Sequence, residues 1–423
     1  MKIQEIRALE ILDSRGFPTL KVTLTLEGGG QGSASVPSGK STGEYEAAER
    51  RDGEAGRHGG KGVRQAVRNV EEVIAPALMG QAFTDQAQID AVLLHLDATP
   101  NKSRLGANAL LGVSLAAARA AAARRGLPLH TALHADAHLL PVPCFNVLNG
   151  GAHADNPLAF QEFMLVPAGR PTYAEALRAG AECYHALARL LEDRGMSVSV
   201  GDEGGFAPQI EQPEDALDLL VRAVERAGYH PGEDVFIALD PAANGFYRDG
   251  RYVFGGRSLS SAQLTDLYRD WLGRYPILSL EDGLSEEDRD GWAHLTRALG
   301  RRVQLVGDDL FVTNPERLRQ GIAQGLANAL LVKPNQIGTL TETWAAAQTA
   351  RGAGYRLMMS HRSGETDDSF IADLAVAMGT GQIKSGAPAR GERLAKYNRL
   401  LEIERDLGDR ARFAGRAAFG GEA

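Results

Sequence analysis

A chain of 423 residues exceeds one ordinary domain, and two domains are the natural expectation. Its 43% hydrophobic and 24% charged residues describe a soluble globular protein, and a net charge of −8 leaves no balancing basic face, which argues against nucleic acid as a partner. The most apolar stretch, Ala107 to Ala123, carries Arg119 and is too short to span a bilayer, and the first residues lack a signal-peptide core, so a cytoplasmic protein without a membrane partner is expected.

Residues 1–27 alternate apolar and polar around Ser14-Arg-Gly, as a β-hairpin does. A turn at Gly28–Gly30 leads into Ser33-Ala-Ser-Val36, then into a loop of small residues ending near Gly43. Gly39-Lys-Ser-Thr in that loop looks like the tail of a phosphate-binding P-loop. That motif needs a glycine five residues before Gly39, where Ala34 stands, and no helical pattern follows directly. Nucleotide binding is excluded, and a mobile lid remains. From about 63 to 125 the pattern is helical, so residues 1–133 read as an α+β cap domain carrying the lid.

The pattern breaks near His130–His138, and beyond Leu140 strands and helices alternate, which makes 139–423 a barrel domain. Helices are predicted at about 173–195, 213–228, 261–274, 287–299, 314–324, 340–352, 367–379 and 391–407. Cys144 and Cys183 sit among apolar residues and read as buried free thiols.

Six apolar runs in the second half each finish on a reactive side chain: Asp240, Glu281, Asp308, Lys333, His361 and Lys384. The intervals are 41, 27, 25, 28 and 23 residues, about one strand–helix repeat. Parallel strands covered on both faces read as continuous apolar runs, and barrel enzymes carry their chemistry at the C-terminal strand ends. Asp240, Glu281 and Asp308 could share one hard cation such as Mg²⁺, or could cap three following helices. Lys333 must be paired or shifted toward the neutral amine, because burial disfavours its charge. As an amine it could act as a base, while an ion pair with Asp308 or Asp309 is the structural alternative. Ser360-His-Arg-Ser363 could bind phosphate or carboxylate through charge-assisted hydrogen bonds.

These segments together resemble the enolase family from end to end. The resemblance rests on Ser14-Arg-Gly, Val36-Pro-Ser-Gly, Ser41-Thr-Gly, Asn146-Val-Leu-Asn-Gly-Gly-Ala-His153, Gln161-Glu-Phe-Met164 and Gly201-Asp-Glu-Gly-Gly. It continues through Ser279-Leu-Glu-Asp282, Val306-Gly-Asp-Asp-Leu-Phe, Asn335-Gln-Ile-Gly, Ser360-His-Arg-Ser-Gly-Glu-Thr366, Gly381-Gln-Ile-Lys-Ser-Gly and Glu392-Arg-Leu-Ala-Lys-Tyr-Asn398. It implies an α/β protein with an N-terminal α+β cap and a ββαα(βα)6 TIM-like barrel. It further implies a homodimer or higher homo-oligomer, two Mg²⁺ per site, and dehydration of 2-phosphoglycerate to phosphoenolpyruvate. Residue by residue, Lys333 would be the base and Glu203 the acid, with Glu162 and His361 in support. Asp240, Glu281 and Asp308 would hold the first cation, and Ser41 with the substrate phosphate the second. His153, Gln161, Glu162, Arg362, Ser363 and Lys384 would contact substrate.

The chain departs from the family pattern at Phe17, Lys40, Pro241, Gly245, Pro334 and Gly391. Lys40 adjoins Ser41 on the lid and could add a cation at the substrate. That opens an alternative, because enolase-like enzymes of phosphonate and phosphinate antibiotic pathways form carboxyphosphonoenolpyruvate by the same elimination, and Lys40 would then bind the extra carboxylate. A catalytically inactive binding or structural protein on this fold is a third reading, set against a complete complement of carried-over site residues.

Overall fold

The structure, a computed structural model, describes residues 1–40 and 43–420. Strands β1 (Ile3–Leu12), β2 (Pro18–Leu26) and β3 (Gln31–Ser35) form an antiparallel sheet in sequence order. The Asp13 carboxylate closes the first turn by accepting from the backbone N–H groups of Arg15 and Phe17. On β2, Leu20, Val22, Leu24 and Leu26 are buried and alternate with Lys21, Thr23 and Thr25, so one face carries the core. That face packs on the Ala-rich helix α2 (Ala107–Arg125), which follows α1 (Gln86–Asp97). Helix and sheet approach so closely at Gly32 that a Cβ there would lie 2.3 Å from the Ala116 carbonyl oxygen.

The barrel closes through eight strands, β4 (Val142–Asn149), β5 (Glu162–Val166), β6 (Phe236–Asp240), β7 (Ile277–Glu281), β8 (Gln304–Gly307), β9 (Ala329–Val332), β10 (Arg356–Ser360) and β11 (Gln382–Lys384). All neighbouring pairs are parallel except those of β5, which runs antiparallel to both β4 and β6. Helices α3 (Tyr173–Asp193) and α4 (Pro213–Arg226) follow β5, so the order is ββαα before the repeating units begin. The remaining long helices of the barrel are α5 (Ser261–Arg274), α6 (Arg289–Leu299), α7 (Pro315–Gln324), α8 (Leu340–Gly352), α9 (Phe370–Met378) and α10 (Gly391–Leu407). Every predicted helix is present; α6 starts at Arg289 because Asp288 caps it. The one long interval, from Asp240 to Glu281, holds a small antiparallel sheet at 247–259.

The strands are buried on both faces, as their unbroken apolar runs predict. Cys144, Met164, Ala238, Val306, Leu331 and Met358 belong to the apolar cluster of the barrel interior, and both cysteines are free and buried. Below them Gln304 and Gln382 exchange a pair of 2.7 Å hydrogen bonds, so their amides are satisfied without water. Among the described residues no helix is long and apolar enough to cross a membrane.

Candidate active site

Helix α5 is capped by Ser260, α6 by Asp288 and α7 by Asn314. The carboxylates at the ends of β6, β7 and just past β8 are therefore not helix caps. Asp240, Glu281 and Asp308 turn instead to the barrel mouth, each at most 8% exposed. Glu162 reaches the same rim although it begins its strand. Because β5 runs antiparallel, Glu162 pairs with Asn149 on one side and Asp240 on the other.

Lys384 Nζ sits among three of these acids, 2.7 Å from Glu281, 3.1 Å from Glu162 and 3.2 Å from Asp240. Lys333 Nζ donates to Asp308 Oδ2 at 2.5 Å, and Gln336 donates to the other oxygen at 2.8 Å. Of the two readings of Lys333, the ion pair is the one this geometry contains. Burial is the largest influence on the lysine's pKa and lowers it, but the neighbouring acids, Asp308 foremost and Glu281 with it, leave the net shift upward. Burial likewise raises Asp308, and Lys333, Lys384 and Arg362 together override it and bring the acid down.

Charge is unevenly compensated here. Burial drives Glu162 and Glu281 well above the usual carboxylate range, and neighbouring acids add to the effect against the pull of Lys384. Glu281 keeps one buried carboxylate oxygen with no hydrogen-bond partner. An all-oxygen donor set with surplus buried negative charge and an unpartnered oxygen fits a hard divalent cation. Among the described residues the tightest groups of potential ligands are His153, Glu162 and Glu203 on one side, and Asp282, Asp308 and Asp309 on the other. The expected trio is spread wider because its members lean toward Lys384 and Lys333.

Glu203, which lines the same cavity as Lys333, is buried in the turn after α3. Its Oε2 accepts from Asn146 at 2.9 Å and lies 3.2 Å from His361 Nε2, a close approach whose angle falls short of an aligned hydrogen bond. Burial lowers His361 to about 4, so the ring is neutral at neutral pH. Burial would raise Glu203, but the imidazoles and Arg393 around it win and hold the carboxyl low. His153 lies 3.6 Å from Glu203 and 3.7 Å from Glu162, with both ring nitrogens buried and unpartnered. Such orphaned polar atoms call for a ligand.

A small cavity joins these groups. His153, Gln161, Glu162, Glu203, Asp240, Lys333, His361, Arg362, Ser363 and Lys384 all line it. Arg362 is held by Glu46 at 2.8 Å and by Asn335 at 3.1 Å. Ser41 lies outside the described residues. Lys40 does not line this cavity; its backbone N–H donates to Ser363 Oγ at 2.7 Å and its ammonium lies 3.3 Å from Asp202. Together with Arg15, Arg51, Lys61 and Arg390 it lines a larger neighbouring cleft.

Several contributors have no role that the sequence alone assigns: Asn146, Glu46, Asp282 and Arg393. Asn146 and Arg393 stand inside segments that carry the family resemblance, and only their packing shows what they touch. Of the departures, Phe17 stacks under the Lys61 ammonium at 3.7 Å, and Pro334 takes the first position of a helical turn at Pro334–Ile337. A Cβ at Gly245 or Gly391 would meet nothing within 4 Å, so packing does not demand glycine there. Nothing in the structure explains Pro241.

Comparison with known proteins agrees with this geometry. Residues 3–133 match the family model described as the enolase N-terminal domain, and residues 137–420 the one described as the enolase C-terminal TIM barrel domain. Proteins named enolase from Acidothermus cellulolyticus and Mycobacterium leprae are each 58% identical, covering 99% of this chain and 97% of their own length. One from Rubrobacter xylanophilus is 59% identical over 99% of this chain and 98% of its own. A rim of buried acids and lysines at the C-terminal end of a ββαα(βα)6 barrel, matched along its whole length by these relatives, makes the chain a member of the enolase family.

Proposed function

We propose that this protein is a Mg²⁺-dependent lyase that dehydrates 2-phosphoglycerate to phosphoenolpyruvate, working as a cytoplasmic homodimer with cap 1–133 and barrel 139–423. The observation that carries the reading is that Lys333 and Glu203 enter one buried cavity from different parts of the barrel rim. A base and an acid on separate sides of a substrate suit an elimination in which a carbon loses a proton and its neighbour loses hydroxide.

Lys333 takes the proton from C2, and Glu203 delivers one to the departing C3 hydroxyl, so water leaves and the double bond forms. Glu203 must gain a proton first, and an anionic substrate beside it raises its pKa in the required direction. Glu162, His361 and His153 support that transfer; His153, Gln161, Arg362, Ser363 and Lys384 bind the phosphate and carboxylate. Asp240, Glu281 and Asp308 would hold one Mg²⁺, with Ser41 assigned to a second, and the cations would stabilise the enolate-like charge. A lysine base working beside Mg²⁺ is the general pattern of enolase-superfamily sites, and the residues here fit that pattern rather than establish it. Lys40, drawn to Asp202, gives no support to a carboxylated phosphonate substrate.

The test is the ultraviolet absorbance of enol formation from 2-phosphoglycerate, with and without Mg²⁺. Mg²⁺-dependent turnover that Lys333→Ala removes supports the reading; no turnover by folded, Mg²⁺-loaded protein overturns it.

A further inference from the structure

Arg393 NH1 lies 2.8 Å from His361 Nδ1. A guanidinium has N–H donors and nothing that accepts, so the nitrogen facing it must be the acceptor. An unprotonated Nδ1 leaves one place for the proton of a neutral imidazole, which is Nε2. That nitrogen is the one 3.2 Å from Glu203 Oε2.

The guanidinium is held too firmly to turn away. Its NH1 also donates to the Arg362 carbonyl at 2.7 Å, and its NH2 donates to the carbonyls of Ser363 at 2.7 Å and Asp202 at 3.0 Å. These carbonyls belong to the two segments that carry His361 and Glu203. Arg393 is fully buried, and Gly386 leaves space for it, since a Cβ there would stand 3.0 Å from Arg393 Cδ. One turn further along α10, Lys396 anchors the same loop by donating to Glu365 at 2.8 Å and to the Thr366 carbonyl at 2.6 Å.

We propose that Arg393 is a positioning residue that locks His361 as its Nε2–H tautomer and thereby turns an N–H rather than a lone pair to the side of the ring that faces Glu203. The inference deepens the dehydration reading and rests on it for its kinetic consequence alone. With the proton on Nδ1, the ring would present a lone pair to a carboxylate, and two acceptors would face each other. Burial that lowers His361 to about 4 agrees, because an imidazolium would need N–H groups toward both Arg393 and Glu203. A lysine can supply a donor to Nδ1 but cannot span the three carbonyls as the planar fork does.

Long-range proton–nitrogen spectra of the whole protein labelled with ¹⁵N-histidine, with His361→Gln used to assign the signal, read the tautomer directly. At neutral pH His361 should show an unprotonated Nδ1 and a protonated Nε2. Arg393→Met should move it to a tautomer mixture and lower kcat by about 10²-fold, by more than it raises KM. Arg393→Lys should restore the wild-type ring pattern and recover at least about tenfold in kcat. A proton on Nδ1 or an imidazolium in the wild type overturns the proposal, as does an unchanged ring pattern in folded Arg393→Met. Should Arg393→Met fail to fold, the wild-type spectrum decides alone. Absence of turnover in a wild type with the expected ring pattern would sink the reaction and leave the tautomer lock standing.

Discussion

Lys333 Nζ and Asp308 Oδ2 stand 2.5 Å apart at the ends of neighbouring barrel strands, so a proposed base and a proposed cation ligand neutralise one another. Committing Asp308 to a cation removes the charge that holds the lysine protonated. Burial, Arg362 and Lys384 then lower its pKa, against Glu281, which raises it.

Lys333→Ala is expected to lower kcat roughly 10³-fold or more, as loss of a general base does. Without Mg²⁺ it also leaves Asp308 buried and unpaired, which costs about 3–5 kcal/mol. Mg²⁺ should therefore raise the melting temperature of the variant by more than it raises that of the wild type. Equal Mg²⁺-induced shifts in calorimetry would mean that Asp308 does not bind the cation.

Gly32→Ala should destabilise the cap without touching the chemistry. Its Cβ would stand 2.3 Å from backbone atoms of α2, which cannot move aside as a side chain could. Overpacking of this kind costs about 1–3 kcal/mol. The expected readout is a lower unfolding midpoint in urea with kcat unchanged at temperatures where the protein remains folded.

Asp373 ties α9 to its neighbours, accepting from Arg399 at 2.8 and 2.9 Å and from the His130 backbone at 3.2 Å. Burial pushes its carboxyl up, but hydrogen bonds from Arg399 and His130 outweigh that and bring it to about 2. The folded state thus binds fewer protons than the unfolded chain between about pH 4 and pH 2. The contribution, about 2 kcal/mol, is complete above the unfolded value and disappears as pH falls through the folded one. The stability difference between wild type and Asp373→Asn should accordingly shrink from about pH 5 to about pH 2.5, and a difference that grows on acidification would contradict the assignment.

Lys40→Ala should change little. Its ion pair with Asp202 is 46% exposed on the lysine side, and such pairs contribute about 0–1 kcal/mol. Steady-state kinetics with 2-phosphoglycerate should show KM within about threefold of wild type. A much larger rise would put the ammonium on the substrate.

The strand-end residues were legible because the feature that brings them to the barrel rim also shapes the sequence. A strand covered on both faces must be apolar, so an acid or lysine closing such a run stands out, and Asp240, Glu281, Asp308, Lys333 and Lys384 could all be found this way. His153, Glu162 and Glu203 sit in Gly-rich or otherwise ordinary segments, and only the family resemblance picked them out. Arg393 was hidden for a different reason. It lies at the start of a helix, where a lone arginine reads as a solvated surface residue, and nothing local says that it is fully buried.

The sequence by itself determined the cap-then-barrel order, the eight barrel helices and the strand ends that carry most of the rim's acids and lysines, because hydrophobic period and local turn signals are properties of neighbouring residues. The tertiary structure alone decided which of those ends face one another. The reversal of β5 carries Glu162 to the rim beside Asp240, and the closure of β11 on β4 completes the ring in which Lys384 meets three acids. The packing of α10 under the loop after β10 sets Arg393 against His361. Each of these joins residues far apart in the chain, and their strength depends on burial, which no local pattern encodes.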